Sequence, residues 1–204
     1  MENIIRNPES LNVESFEFTK PKTNQSGGQS VFVNINGNKV RFQTPVLRMP
    51  FGVNDTNNRK SIDFSISDQN FEEFVKSVDN AIVQSAVNNS AVWFKRQLTE
   101  GVVSELYKKS MKPSEKYPPL MRMKLPTVDN EFTGEIYDSN KNELSMKSLQ
   151  KGSRVQLIAE IAGIYFVAKE FGISWKIVQI KVMPQNRLTG FAFIDDSNED
   201  VEPI

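Results

Sequence analysis

Between residues 31 and 66 the chain alternates apolar and polar positions with the period of two that a half-buried strand requires. Val31, Val33 and Ile35 alternate with Phe32, Asn34 and Asn36, and Asn36-Gly37 then supplies a tight turn. An Asn-Gly pair between two alternating runs signals a hairpin, because both residues tolerate the positive φ of a type I′ turn. Val40 and Phe42 resume the pattern, followed by Val46 and Leu47, while Pro45 and Pro50 confine these strands to edges or strand ends. In RKSIDFSIS, Ile62, Phe64 and Ile66 share one face of a further strand.

At Asp68 the period changes. Phe71, Phe74, Val75, Val78 and Ile82 recur at helical spacing behind a good N-cap residue. A second helical stretch is expected over residues 91–109, with Gly101 as its break, and then KPSEKYPPL reads as a loop. Strands return in MRMKLP, where Met121 and Met123 face the core and Arg122 and Lys124 face out. Two short strands follow, joined by a polar turn at residues 139–142.

Two longer strands close the domain. Val155, Leu157, Ala159 and Ile161 mark the first, residues 169–172 the turn, and Trp175, Ile177, Ile180 and Val182 the return. Gly163 inside the first strand suggests a bulge that curls the sheet, and the period around Trp175 places that ring in the core.

The order of strands, helices and strands predicts a mainly β chain with a helical insertion (α+β), an OB-fold-like, partly closed antiparallel barrel. A generic α+β sandwich shares the pattern. Residues 1–29 read as a flexible segment, with TNQSGGQS a linker. Residues 30–190 are expected to form one OB-like domain, with its insertion at about 68–110, and residues 191–204 an acidic tail.

The chain has 25 Lys and Arg against 25 Asp and Glu, yet the balance is uneven along its length. Asp195, Asp196, Glu199, Asp200 and Glu202 stand in a terminal stretch with no basic residue. Without them, 20 acidic residues face 25 basic ones, a surplus of five. A basic body with an acidic appendage points toward nucleic acid.

With no Cys and no His, thiol nucleophiles, imidazole bases and Cys/His zinc sites are excluded. Phosphate-binding and nucleophile-elbow glycine motifs are missing as well. Asp55, Asp63 and Asp68 could in principle hold Mg²⁺ for a nuclease, but they flank a strand and a helix cap, where structural roles are expected. No catalytic residue, metal or cofactor is expected. No apolar run approaches the roughly 18 residues of a spanning helix, and the start of the chain lacks the character of a signal peptide. A cytosolic or nuclear-type compartment is expected, with no membrane partner.

From Trp93 to Leu125, basic and aromatic residues interleave. Lys95, Arg96, Lys108, Lys109, Lys112, Lys116, Arg122 and Lys124 stand among Trp93, Phe94, Tyr107 and Tyr117, with Glu100, Glu105 and Glu115 as the acids. Single-stranded nucleic acid asks for this mixture, since cations follow phosphates and aromatic faces stack bases of any sequence. Solvated helix faces and core rings would account for the same residues. Arg41 and Arg48, with Arg59 and Lys60, would extend the basic face.

RFQTPVLRMPFG (residues 41–52), KSIDFSISDQNFEEFVKSVD and GIYFVAKEFGISWKIVQIKV resemble the OB-fold single-stranded DNA-binding proteins of nucleocytoplasmic large DNA viruses, a group related to the podophage protein of the same activity. The resemblance spans residues 31–185. It implies a non-enzymatic protein that coats displaced strands in replication and recombination, in the host cytoplasm or packaged in the virion. It also implies that the acidic tail occupies the DNA groove when DNA is absent and recruits replication proteins when displaced. Here that tail would act through Asp195, Asp196, Glu199, Asp200, Glu202 and Ile204, although Pro203-Ile204 departs from the aromatic end of the group. The pattern does not separate DNA from RNA, and a homo-oligomer is compatible with it. The rival class is a structural or scaffolding virion protein using the same domain to bind protein.

Overall fold

The computed structural model describes residues 4–23, 27–57 and 59–184. The chain opens with short strands, β1 (Ile4–Ile5), β2 (Glu17–Phe18), β3 (Lys22–Thr23) and β4 (Gln29–Val31). Next, β5 (Val33–Ile35) and β6 (Asn38–Gln43) make the hairpin expected at Asn36-Gly37, whose φ values are 50° and 72°. Pro45 interrupts the following strand, so β7 (Leu47–Arg48) continues β6 after a bend. The hairpin of β8 (Asn54–Thr56) and β9 (Arg59–Ser65) precedes the helices.

These helices are α1 (Gln69–Asn88), α2 (Ser90–Trp93) and α3 (Glu100–Leu106). Then come β10 (Tyr107–Lys108), β11 (Met111–Lys112) and β12 (Leu120–Leu125). A separate pair, β13 (Thr127–Val128) and β14 (Glu131–Phe132), leads into β15 (Glu135–Tyr137). The long hairpin of β16 (Arg154–Val167) and β17 (Glu170–Val182) ends the described chain. Among the described residues, no helix is long and apolar enough to cross a membrane.

The ring closes through five pairings. The bent strand β6–β7 pairs with β16 on one edge, and β7 meets β9 at Arg48↔Ser65. Antiparallel β12 follows β9, β17 runs parallel to β12 at Lys124↔Lys176, and β17 returns antiparallel to β16. In chain order the ring reads first, second, third, fifth, fourth, with the third and fifth strands parallel. This is an OB-fold-like barrel in a mainly β chain, with its helices inserted between the second and third strands.

Alternation fills the barrel. Val40, Phe42, Ile62, Phe64, Met121, Met123 and Leu157 all point inward and are buried. The Asp68 side chain caps α1 by accepting from the Phe71 N–H at 2.8 Å. The helix then seats Phe71, Phe74 and Val78 on the barrel. Phe74 meets Phe42 edge-on at 5.2 Å, and Trp175 meets Phe42 at 6.0 Å. Such ring pairs add about 0.5–1.5 kcal/mol each beyond area burial.

Three local expectations need correction. Residues 4–23, expected to be flexible, are built onto the barrel: β1 runs parallel to β6, β2 pairs with β5, and β3 pairs with β4. Their few apolar residues carried too weak a periodic signal. The second helical stretch breaks at residues 94–99, where Lys95 takes φ 57°, rather than at Gly101, which lies inside α3. The last turn falls at Ala168-Lys169, with Ala168 at φ 52°, so residues 170–172 already belong to β17.

Gly163 does mark an irregularity. The β16–β17 register shifts between Ile161 and Gly163, and Gly163 adopts φ 143°. A Cβ there would lie 2.6 Å from the Val31 carbonyl oxygen and 3.3 Å from the Phe32 Cα. The glycine therefore lets the β4–β5 junction settle directly on β16. Gly163→Ala combines a strained φ with a backbone clash, and should destabilise the protein by about 2 kcal/mol or more. Urea denaturation of the two proteins measures the difference.

Candidate nucleic-acid interface

Outward positions of the barrel carry the charge. On β12 the inward methionines force Arg122 and Lys124 out, and antiparallel pairing sets them opposite Asp63 and Ser61 of β9. Lys124 is in register with Lys176 of β17, and Lys176 with Glu160 of β16. Exposed Arg59 starts β9 on the same wall. Arg59, Arg122, Lys124 and Lys176 thus cover three neighbouring strands.

Their electrostatics are suited to an anion. Asp63 holds Arg122 in a two-pronged pair, with Nε donating to Oδ1 at 2.7 Å and Nη2 to Oδ2 at 2.9 Å. Asn54 Nδ2 donates to the same Oδ2 at 3.0 Å. The Arg122 side chain nonetheless stays 66% exposed, so its remaining N–H groups face solvent. Desolvation on the crowded wall, then repulsion from Arg59, hold the Lys124 ammonium below the usual lysine pKa. An anion placed there would relieve that repulsion.

A second cluster lies further along the same strands. Arg154↔Arg48 and Arg48↔Ser65 are register pairs, and Ser65↔Leu120 and Leu120↔Lys112 continue the row across β12 to β11. Arg48, Arg154 and Lys112 are exposed.

The basic run expected as one segment is therefore divided. Lys112, Arg122 and Lys124 lie on β11 and β12. Lys108 pairs with the start of β17, at 3.7 Å from Glu170, and Lys109 follows it. Lys95 and Arg96 follow α2, beside Phe94, whose ring contacts Phe166 and Phe171 at the tip of the β16–β17 hairpin. Lys116 and Tyr117 occupy the loop before β12, and Tyr117 is 74% exposed. Arg41 donates from Nε to buried Glu160 at 2.7 Å, so its guanidinium is tied to the wall. The tail residues Asp195, Asp196, Glu199, Asp200, Glu202 and Ile204 lie outside the described residues.

Two aromatic expectations are corrected. Trp93 is only 3% exposed and packs edge-on against Phe18 and Phe166 at 5.3 and 6.1 Å, so it is a core residue and no stacking platform. The N-terminal segment covers it, which a reading of that segment as flexible could not foresee. Tyr107 is half-buried against Phe171, with its hydroxyl donated to Asp79 at 2.6 Å. Trp175 is buried, as its period implied. Sequence reasoning instead missed Phe32 and Phe51, both exposed. The signal for Phe32 was its polar-phase position between Val31 and Val33. Phe51 sits in the loop between the first two barrel strands, within Pro50-Phe51-Gly52.

The three aspartates weighed as metal ligands have structural partners: Asp68 caps α1, Asp63 holds Arg122, and Asp55 pairs with Lys60. Among the described residues, no cluster of three or more metal-ligating side chains occurs.

A family of unknown function, DUF5871, matches residues 51–195. The chain belongs to this family. No curated protein sequence matches it. Among solved structures, the single-stranded DNA-binding protein encoded by bacteriophage T7 is similar, with a TM-score of 0.51 and 10% identity over 76% of this chain and 91% of that one. The single-stranded DNA-binding protein from bacteriophage Enc34 aligns with a TM-score of 0.48 and 12% identity, over 89% and 98% of the two chains. Its complex with single-stranded DNA aligns at 0.47 and 11%, over 83% and 97%. The T7 likeness shows a shared fold. The part matched by DUF5871 includes Arg59, Arg122, Lys124 and Lys176, and begins after Phe32 and Arg48.

Within that span, one buried network positions the β10–β11 turn. Asp79 of α1 accepts from Tyr107 Oη at 2.6 Å and from the Ser110 N–H at 3.0 Å. Ser110 Oγ also donates to Asp79, and accepts from the Trp175 indole N–H at 2.8 Å. Helix, turn and β17 are thereby joined, and Lys108, Lys109 and Lys112 take their places from that turn. Burial raises the Asp79 pKa, outweighing the hydrogen bonds from Ser110 and Tyr107.

A carboxyl whose folded pKa is raised contributes most stability below its unfolded pKa of about 4, and loses it as pH rises through the folded value. The stability difference between wild type and Asp79→Asn should therefore favour wild type most near pH 4 and narrow as pH increases. Paired urea melts across that range provide the measurement.

Proposed function

We propose that this chain is a non-enzymatic, sequence-independent single-stranded DNA-binding protein. The observation that carries the reading is the wall of Arg59, Arg122, Lys124 and Lys176 across three strands of an OB-fold-like barrel. Cations fixed by strand register at outward positions offer a repeating phosphate a track. The T7 protein that shares the fold is itself a single-stranded DNA-binding protein, and barrels of this class use their strand faces for oligonucleotides. Exposed rings at Phe32, Phe51 and Tyr117 offer stacking faces beside the cations.

The sequence resemblance extends the proposal to a role in viral DNA replication and recombination, at a cytoplasmic replication site. In this reading the five carboxylates of residues 195–204 compete with DNA for the cationic wall. Tethering gives them a high effective concentration. Displaced by DNA, the tail becomes available to replication proteins.

Binding of labelled oligo-dT, followed by fluorescence anisotropy, tests the interface. Affinity should fall steeply with salt, and Arg122→Ala with Lys124→Ala together should flatten the log–log slope by about 1.4, two single-strand contacts at roughly 0.7 each. An unchanged slope with unchanged affinity removes this wall from the interface. The same titration with oligo-rU reports any RNA preference.

Deleting residues 195–204 should tighten oligo-dT binding at matched salt and leave it less selective for strand length. A truncated protein that binds no tighter than the intact one refutes tail competition without touching the wall.

A further inference from the structure

Where the cationic row leaves the barrel, it meets Phe32. This residue stands at the junction of β4, which pairs with β16, and β5, which pairs with β2 and β6. Its backbone is pinned on both sides. The Phe32 N–H donates to Thr19 Oγ1 at 3.0 Å, and the Thr19 N–H donates to the Phe32 carbonyl at 3.1 Å. Gly163 beneath lets the junction lie flat on β16. A rigid main chain thus holds out a ring that is 43% exposed, with Lys22 Nζ 5.6 Å from its centroid.

Beside the ring is a groove of about 370 Å³, lined by Phe32, Thr19, Asn34, Lys39, Glu160 and Lys176 among others. Lys176 is in register with Lys124 and also lines the groove, so the groove continues the wall. Its single carboxylate is already engaged: Glu160 accepts from Arg41 at 2.7 Å and lies 3.8 Å from Lys39. The surroundings are therefore cationic, with Lys22, Lys39 and Lys176 near one aromatic face. An occupant that is both anionic and flat fits this chemistry, as a nucleotide does.

We propose that Phe32 is the stacking platform for one nucleobase of the bound strand, with Lys39 and Lys176 on the adjoining phosphates. The proposal rests on the single-strand reading above and extends its path from the barrel onto the N-terminal strands. It leaves Trp93 and Trp175, both buried, without a role in base contact.

The test uses the full chain and labelled oligo-dT in anisotropy. Phe32→Ala should weaken binding about tenfold, whereas Phe32→Tyr should stay close to wild type. A strand of the same length lacking bases should bind wild type and Phe32→Ala alike, since only phosphate contacts remain. Independently, Phe32→Trp places an indole at the platform, and its emission should be quenched by oligo-dT. A wild type that binds oligo-dT, with Phe32→Ala binding equally well and Phe32→Trp unquenched, overturns the platform and leaves the parent reading intact. A wild type that fails to bind oligo-dT at low salt overturns both.

Discussion

The structure depends on the pairing of β16 with β17. These two strands, 14 and 13 residues long, are the longest strands among the described residues, and each serves several partners on the edge away from the other. β16 gives one edge to β7, β6 and β4 in turn, while β17 gives one to β10, β12 and β15. A flat hairpin could not reach all of them. Register shifts at Ile158/Ala159 and at Ile161/Gly163 bend it until the ring closes. Closure leaves the barrel without an open edge at its centre and fixes which side chains face out.

The charge follows from that closure. Once Met121 and Met123 are committed inward, Arg122 and Lys124 have no choice of face, and parallel register with β17 brings Lys176 beside them. Crowding these cations costs stability, and the lowered Lys124 pKa reflects it, through desolvation first and repulsion from Arg59 second. Asp63 offsets another part by holding Arg122, while Glu160 is matched by Arg41 and Lys39. The wall is therefore arranged with fixed acids beside some cations and with others left uncompensated.

The helical insertion and the N-terminal segment act as supports. α1 closes the barrel with Phe71 and Phe74, and its Asp79 anchors the turn before β11 through Tyr107, Ser110 and Trp175. The N-terminal strands cover Trp93 with Phe18 and carry Phe32 to the surface. The tryptophan within the basic run is thus buried, while the phenylalanine at an outward position of its strand is exposed.

Local periodicity determined much of this protein by itself. The hairpin at Asn36-Gly37, the capped helix from Asp68, the alternation of Met121 and Met123 with Arg122 and Lys124, and the irregularity at Gly163 are all written in neighbouring residues. Each depends on backbone geometry within a few positions. Only the tertiary structure decided which basic residues share a surface, because Arg59, Lys124 and Lys176 are far apart in the chain and meet through strand register. Burial of Trp93 was also settled there: whether an aromatic face in a loop or short helix meets solvent depends on which distant segment folds over it, and no local pattern contains that information.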